Sequence, residues 1–526
     1  MRLVRYSLVC LSGLLFVPAA QAAAQQPAPP PAAMTPQAEP AGPVRRLTID
    51  EAVELALRNN LGLQIERLNP LIEDETIAQA RSAYVPTLQT AVSSSGSTSQ
   101  PRSFTEGNQA FSTDGISSRV TFSQNALPWT NAQIQATWLG SRTTTSVFAP
   151  LFNPNLSSSF AVNASQPLLR NFLVNPVKNQ IAQAVLSRQI ADVTLRQRVV
   201  GTERNVRQAY WNLVGAIERL KVARQNLDLS QTQLKNNRVR VEVGTMAPID
   251  IIAAEAEVAG NEEAVILAEA DIRAREDALR VLVFDPDAAD FWTARIEPAN
   301  QPVLQPMQVD TDGAIRTALE SRTDMVSARR QLQISDLGLK LSKNQTRPDL
   351  SLQAGITGTA SGGTQFAYDF GSEIPTSTTE RSFGATLGDV FGFVYPNWSV
   401  GVQFSYPIGK AAAEANHARA TLQRRQADAQ MKNLELSVVQ QVRTAARNVT
   451  SNFQRVQSTR VARELAEQRL NAQQKRFDVG LSTLFELTQA QRDVVLQRNN
   501  ELNAVIAYNQ ALVDFQLVQV APLGGF

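Results

Sequence analysis

Two side chains that most often carry metal or thiol chemistry occur once each in this chain, His417 and Cys10 among 526 residues. A Cys/His metal centre needs several such ligands, so finger and ribbon sites are excluded. A single cysteine cannot close an intrachain disulfide. A Ser/His/Asp set could be built only around His417, which sits near the start of a helical pattern beside Asn416 and Arg419 and reads as a solvated position. No Gly-rich phosphate loop is present. The 48 Asp and Glu residues are abundant, but helical faces account for them. Two carboxylates stand out by position. Asp250 falls in the first helical turn after Pro248, where the helix dipole favours an acid. Glu486 completes Thr483-x-x-Glu486, a capping box. Neither needs catalysis to explain it. No enzyme, cofactor or metal is expected.

The elements that hold these positions are framed by composition. Lys and Arg number 50, for a net charge of +2. That balance gives no footprint for nucleic acid. Aromatics are 6%, low for one thick core. Length alone suggests about three or four domains.

Residues 1–22 read as an export signal. Arg2 and Arg5 start it, Tyr6 to Val17 is apolar, and Ala20-Gln21-Ala22 is a cleavage site. The apolar run is too short to span a membrane. Cys10 lies within it, and Ser7-Leu8-Val9 lacks the small residues expected before a lipid-attachment cysteine. Residues 23–46 form a Pro/Ala-rich linker that cannot build a core.

The rest is a tandem duplication. Residues 47–92 resemble 309–354 at an offset of 262: Ala52, Ala56 and Leu57 fall on Ala314, Ala318 and Leu319, and Pro86 and Leu88 on Pro348 and Leu350. Later, Arg240, Val243, Gly244, Ala254 and Val258 fall on Arg476, Val479, Gly480, Ala490 and Val494, at an offset of 236. The repeats are assigned to 47–308 and 309–520, with a tail at 521–526. Each reads helix, strands, very long helix, helix. The first helices are expected over 48–84 and 311–345. Period-two segments follow: Leu88 to Val92, Phe160 to Ala164, Leu350 to Ile356 and Trp398 to Tyr406. The first repeat has two further candidate strands, near 116–125 and 132–140. Residues 361–395 read as a long Gly/Ser/Thr-rich loop.

Beyond Pro176 and Pro407, helical patterns run unbroken for about 70 residues, roughly 105 Å. Val206, Tyr210, Leu213, Ile217 and Leu220 step by 4, 3, 4 and 3, a coiled-coil seam. Two helices of about 36 residues could stack end to end beside each long one. One chain has too few neighbours to bury such seams, so a tube completed by other subunits is expected. Trp398, Val400, Val402, Phe404 and Tyr406 alternate with small or polar residues, as on a membrane-facing barrel strand. A half-buried soluble sheet shows the same alternation. Four to six strands per chain cannot close a membrane barrel alone.

These segments, in this order and twice over, resemble the TolC-like outer-membrane efflux proteins (outer-membrane factors). The matching pieces are Leu47-Thr48-Ile49-Asp50-Glu51-Ala52, Ala83-Tyr84-Val85-Pro86-Thr87-Leu88, Ser165-Gln166-Pro167-Leu168-Leu169-Arg170, Ala209-Tyr210-Trp211-Asn212-Leu213 and the glycine turns. The resemblance implies a mostly α fold with a membrane β-barrel: a homotrimer whose tandem helical hairpins form an α-barrel tunnel in the periplasm below a shared barrel in outer-membrane lipid. It implies a passive exit duct for an efflux pump or a type I secretion system. The partners would be a periplasmic adaptor (membrane fusion) protein and an inner-membrane transporter. Val479-Gly480-Leu481-Ser482 matches the family's adaptor-contact motif fully. Val243-Gly244-Thr245 matches in its first two positions. Asp250 and Glu486 fall where family acids line the tunnel constriction. Ser482 replaces an arginine of that constriction, and Gln489 a further acid. The competing reading is a trimeric coiled-coil scaffold without a pore. Whether the extra strands join the barrel stays open.

Overall fold

The computed structural model describes residues 43–102, 109–147, 150–302, 304–369, 374–409 and 411–523. The export signal at 1–22, nearly all of the linker and the end of the 521–526 tail lie outside these. The chain enters the fold at β1 (Val44–Leu47), slightly before the expected linker end. This strand pairs in parallel with β6 (Arg295–Pro298), which gives its backbone a partner.

The first expected helix is in fact two, α1 (Ile49–Asn59) and α2 (Leu61–Arg81). Thr48 and Glu51 cap α1 reciprocally. The break is Asn60, extended at ψ 116°, whose side chain accepts from the Leu63 N–H and starts α2. The second expected helix breaks alike into α5 (Thr311–Ser321) and α6 (Thr323–Gln345) at Arg322, ψ 138°. Arg322 is fully buried. Its guanidinium donates to Gln441 at 2.5 Å and to the Val518 carbonyl at 3.4 Å, and its Nε lies 3.0 Å from Asp324.

The long helices are α3 (Pro176–Glu242) and α8 (Ala412–Asp478), each 67 residues, about 100 Å long. Asn175 caps α3 by accepting from the Lys178 N–H, and Pro176 takes the first position, where an N–H would be idle. The hairpins are completed by α4 (Ile249–Val283) and α9 (Leu484–Leu517). α2 and α4 both pack along α3, and α6 and α9 along α8. α3 also packs against α6 and α9. The helical body thus has four columns side by side: α2 with α4, then α3, then α6 with α9, then α8.

Two cores lie near the middle of the long helices. In one, Val206, Tyr210, Leu213 and Val214 of α3 meet Ala52, Val53 and Ala56 of α1 with Leu279 and Val283 of α4. In the other, Val438, Val442, Ala445 and Val449 of α8 meet Ala314, Ala318, Met325, Tyr508 and Phe515. Burying Leu213 fully is worth about 1.5–3 kcal/mol. Tyr210 is buried whole, and its hydroxyl donates to the Leu47 carbonyl and accepts from the Asn300 N–H, both at 3.0 Å. Burial pushes that phenol above its ordinary pKa.

The strands are β2 (Thr87–Ser99), β3 (Phe111–Gln124), β4 (Gln133–Thr145), β5 (Phe152–Pro167), β7 (Asp349–Tyr368), β8 (Pro375–Arg381) and β9 (Pro396–Ser405). They form one antiparallel sheet in the order β2-β3-β4-β5-β7, with both β8 and β9 on the far edge of β7. The extra pair β3–β4 therefore lies inside the sheet, between β2 and β5. β2, β5 and β7 run longer than their period-two segments, while β9 stops at Ser405, one residue short of Tyr406. The added end of β2, Ser93–Ser99, is Ser, Thr and Gly on both faces, so alternation marks nothing there. Residues 361–395 are not one loop: they hold the end of β7, β8 and a short helix α7 (Phe383–Phe391).

Candidate functional site

The two faces of the sheet differ across the strands from β2 to β9 in the half nearer the helices. Directly opposed residues share a face. On one face Leu88 stands opposite Phe122, Val120 opposite Trp138, Trp138 opposite Phe160, Val162 opposite Ile356 and Ile356 opposite Trp398. Val400, Val402 and Phe404 face Ala354, Leu352 and Leu350 on the same side. Tyr406 follows the end of β9. Trp398 is 75% exposed, and its three apolar partners along β9 are similarly bare. The opposite face is a ladder of small polar groups. Ser93, Ser117, Ser141, Ser157 and Ser361 form one row across five strands. Within it Ser93 and Ser117 hydroxyls are 2.7 Å apart, and Ser141 and Ser157 2.6 Å. Such a sheet suits lipid on one side and water on the other.

Far from the sheet, both long helices end on a glycine. Gly244 has φ 73° and Gly480 φ 77°, a left-handed turn that side chains with a Cβ resist. No atom lies within 4 Å of a Cβ built on either, so the backbone requires glycine and crowding does not. The next N–H closes each turn: Thr245 donates to the Arg240 carbonyl and Leu481 to the Arg476 carbonyl, both at 2.8 Å. The tips are apolar and bare. Val243, Val479 and Phe485 are exposed, and Leu481 is 78% exposed. Arg240 joins the tips, donating to Asp478 at 2.9 Å with its guanidinium 4.8 Å from the Phe477 ring centre.

The two tip acids differ in their surroundings. One Glu486 oxygen accepts from the Ser482 hydroxyl at 2.7 Å, the Gln473 amide at 3.1 Å and the Thr483 N–H at 3.3 Å. The Ser482 hydroxyl, then the Thr483 N–H, with Gln473 and the nearby Arg476, hold this carboxyl below its ordinary pKa. The Asp250 side chain has no hydrogen-bond or ion-pair partner among the described residues. Ser482, expected to replace an arginine, instead ties Glu486 to the Gln473 amide within the same hairpin. Gln473, thirteen residues before Glu486, carried no sequence signal, because only the folded hairpin brings it there. Gln489 is committed to Asp493 at 3.0 Å. His417 is half-buried rather than solvated, its Nδ1 3.2 Å from the Ser342 hydroxyl.

A sheet with one apolar and one polar face, continued by long paired helices with bare tips, defines a wall segment of a membrane duct. The family model for outer membrane efflux proteins matches residues 52–283 and 314–518. The chain belongs to that family. It is an outer-membrane protein whose helical body stands in the periplasm. Outer membrane protein TolC of Vibrio cholerae is 24% identical over 317 residues. That match covers 60% of this chain and 66% of the relative, just under two thirds of its length. Among solved structures, the Campylobacter jejuni CmeC outer membrane channel superposes with TM-score 0.62 at 15% identity, over 90% of this chain and 85% of that one. The outer membrane protein VceC of Vibrio cholerae does so with TM-score 0.63 at 14% identity, over 90% and 96%. These likenesses show the fold.

Proposed function

We propose that three copies of this chain close into one passive duct that conducts small molecules or proteins from a periplasmic assembly to the exterior. The observation that carries this is the pair of unpartnered edges. β2 is one free edge of the wall sheet and β9, with β8 beyond it along the same side of β7, is the other; α2 leads into β2 while β9 leads into α8. The columns at the two sides of the helical body are therefore those below the two free strands. Both bear exposed apolar residues: Leu61, Ile65, Leu68 and Ile72 on α2, and Leu422, Leu436, Val461 and Leu465 on α8. The α2 set steps by 4, 3 and 4, a seam with no helix against it. Two different edges that fit each other build a ring by rotation.

Six strands per chain in the wall give eighteen in a trimer, including the β3–β4 pair. Four helical columns per chain give twelve. Twelve helices at 8–10 Å make a ring about 100–120 Å round. Eighteen strands about 4.8 Å apart, tilted about 40°, make a ring about 113 Å round. The added hairpin thus keeps the exit as wide as the tunnel.

The tips Val243, Gly244, Thr245 and Val479, Gly480, Leu481, Ser482 would meet a periplasmic adaptor, which links the duct to an inner-membrane transporter. Their bare apolar side chains support this. Asp250 and Glu486 would set the charge of the constriction. The two repeats, 47–308 and 309–520, would each supply half of every subunit's wall. The experiment is conductance of the purified protein in planar bilayers with its assembly mass. Stepwise currents from a trimer are expected. A trimer that never conducts would favour the scaffold reading.

A further inference from the structure

The short helix α7 is not explained by any role given above. It interrupts the far edge of the sheet. β9 pairs with β7 only up to Gly358, and β8 takes over at Gly363. Residues 359–362 of β7 have no ladder partner on that side, and α7 packs over this interval. A Cβ on Gly358 would fall 2.5 Å from the Val390 carbonyl, and one on Gly362 2.3 Å from the Thr386 hydroxyl. The seat is made of small residues: Gly140, Ser158, Gly358, Ala360 and Gly362. Val390 and Thr386 are fully buried there. Phe391 packs tilted and Phe393 edge-on against Phe160, ring centres 5.2 and 6.2 Å away.

Strand parity decides which face this is. Residues 352, 354, 356, 358, 360 and 362 of β7 share one face, and Ile356 stands opposite Trp398. α7 therefore lies on the apolar face, not on the serine-lined one. Its height follows from the register. Leu350 to Gly362 is twelve residues, about 40 Å along the strand and about 30 Å of height at a tilt of about 40°. That is roughly the apolar band of a barrel, and α7 covers its upper third, away from the helices. Small residues on the strands permit the close approach that apolar packing in lipid relies on. What α7 shows outward is uncharged, Gly384, Ala385, Gly388 and Phe391, and the turn after it exposes Val394 and Tyr395. Its acid, Asp389, pairs with Arg381.

We infer that α7 is an interfacial helix docked on the outer wall of the barrel, its outward face in contact with the acyl chains of outer-leaflet lipid. The inference rests on the apolar sheet face being the lipid face. A helix there also covers a stretch of strand edge that lipid could not hydrogen-bond. An extracellular loop in water would gain nothing from Phe391, Val394 and Tyr395 turned outward.

The test uses nitroxide labels in the exported protein, reconstituted in bilayers, where cleavage of the signal leaves no native cysteine. Labels go at Ala385→Cys, Gly388→Cys and Val394→Cys, with Val400→Cys mid-wall and Ser117→Cys on the polar face as references. Gly388 has open space around it, so a label there does not disturb packing. The two labels on α7 and the one on the turn after it are expected to be accessible to oxygen and shielded from a water-soluble nickel chelate, at a shallower depth than Val400. Chelate access at the α7 labels equal to that at Ser117, with Val400 shielded, would overturn the inference alone. Chelate access at Val400 as well would overturn the lipid-face reading beneath it.

Discussion

Arg240 near the end of α3 donates to Asp478 at the end of α8 at 2.9 Å, so the two hairpin tips are tied across 238 residues of sequence. No other ion pair among the described residues joins the ends of both long helices. The pair is partly exposed, worth at most about 1 kcal/mol, so it can restrain the tips without governing the fold. Arg240→Gln and Asp478→Asn are each expected to raise single-channel conductance with the melting temperature changed by less than a few degrees. Conductance equal to wild type in both would show that the pair restrains nothing.

The glycine turns separate backbone from contact. At Gly480 the left-handed φ costs an ordinary residue about 1 kcal/mol, and asparagine less. Gly480→Asn is expected to support export, and Gly480→Arg to abolish it with the trimer intact on native gels. Normal efflux with Gly480→Arg would remove the adaptor role from this tip.

Asp250 and Glu486 are expected to differ in their effect on ion selectivity. Asp250→Asn should lower cation preference, because its carboxylate is uncommitted. Glu486→Gln should lower it less, since three donors already engage one oxygen. Unchanged selectivity in the double variant would refute a carboxylate constriction.

Glu486 also gives a pH dependence of definite sign. Its folded pKa lies below the ordinary value. Its contribution to the turn is therefore fully present above the ordinary carboxylate pKa of about 4.3 and is lost as pH falls through the depressed value. Limited proteolysis at the tip should be flat from about pH 8 to about pH 5 and rise only in stronger acid. Glu486→Gln should remove that acid step. A step at neutral pH would assign the transition to another group.

Tyr210→Phe leaves the Leu47 carbonyl and the Asn300 N–H without their shared hydroxyl. Removing such a partner costs about 1–3 kcal/mol. A lower melting temperature with unchanged conductance is expected. An unchanged melting temperature would mean that β1 is held to α3 by packing alone.

Local patterns in the sequence determined much of this protein. The heptad of Val206, Tyr210 and Leu213 set the long helix. The alternation from Trp398 to Phe404 set a strand. The repeats reappear as element starts, with α1 and α5, α2 and α6, and β2 and β7 all 262 residues apart. Capping at Thr48 and Thr483 was readable because a cap is made within four residues. The tertiary structure decided the rest. Asn60 and Arg322 break their helices although the apolar pattern runs on, because each is held by groups more than a hundred residues away: Asn60 by the Leu282 carbonyl, Arg322 by Gln441 and Val518. β3 and β4 were visible as strands, but their place between β2 and β5 is a matter of edge pairing. α7 lay hidden in a stretch whose glycines weaken any helical signal, and its reason is a seat built by three other strands. Periodicity reports which face of an element is apolar. It does not report what covers that face, since that free energy belongs to residues the local pattern never sees.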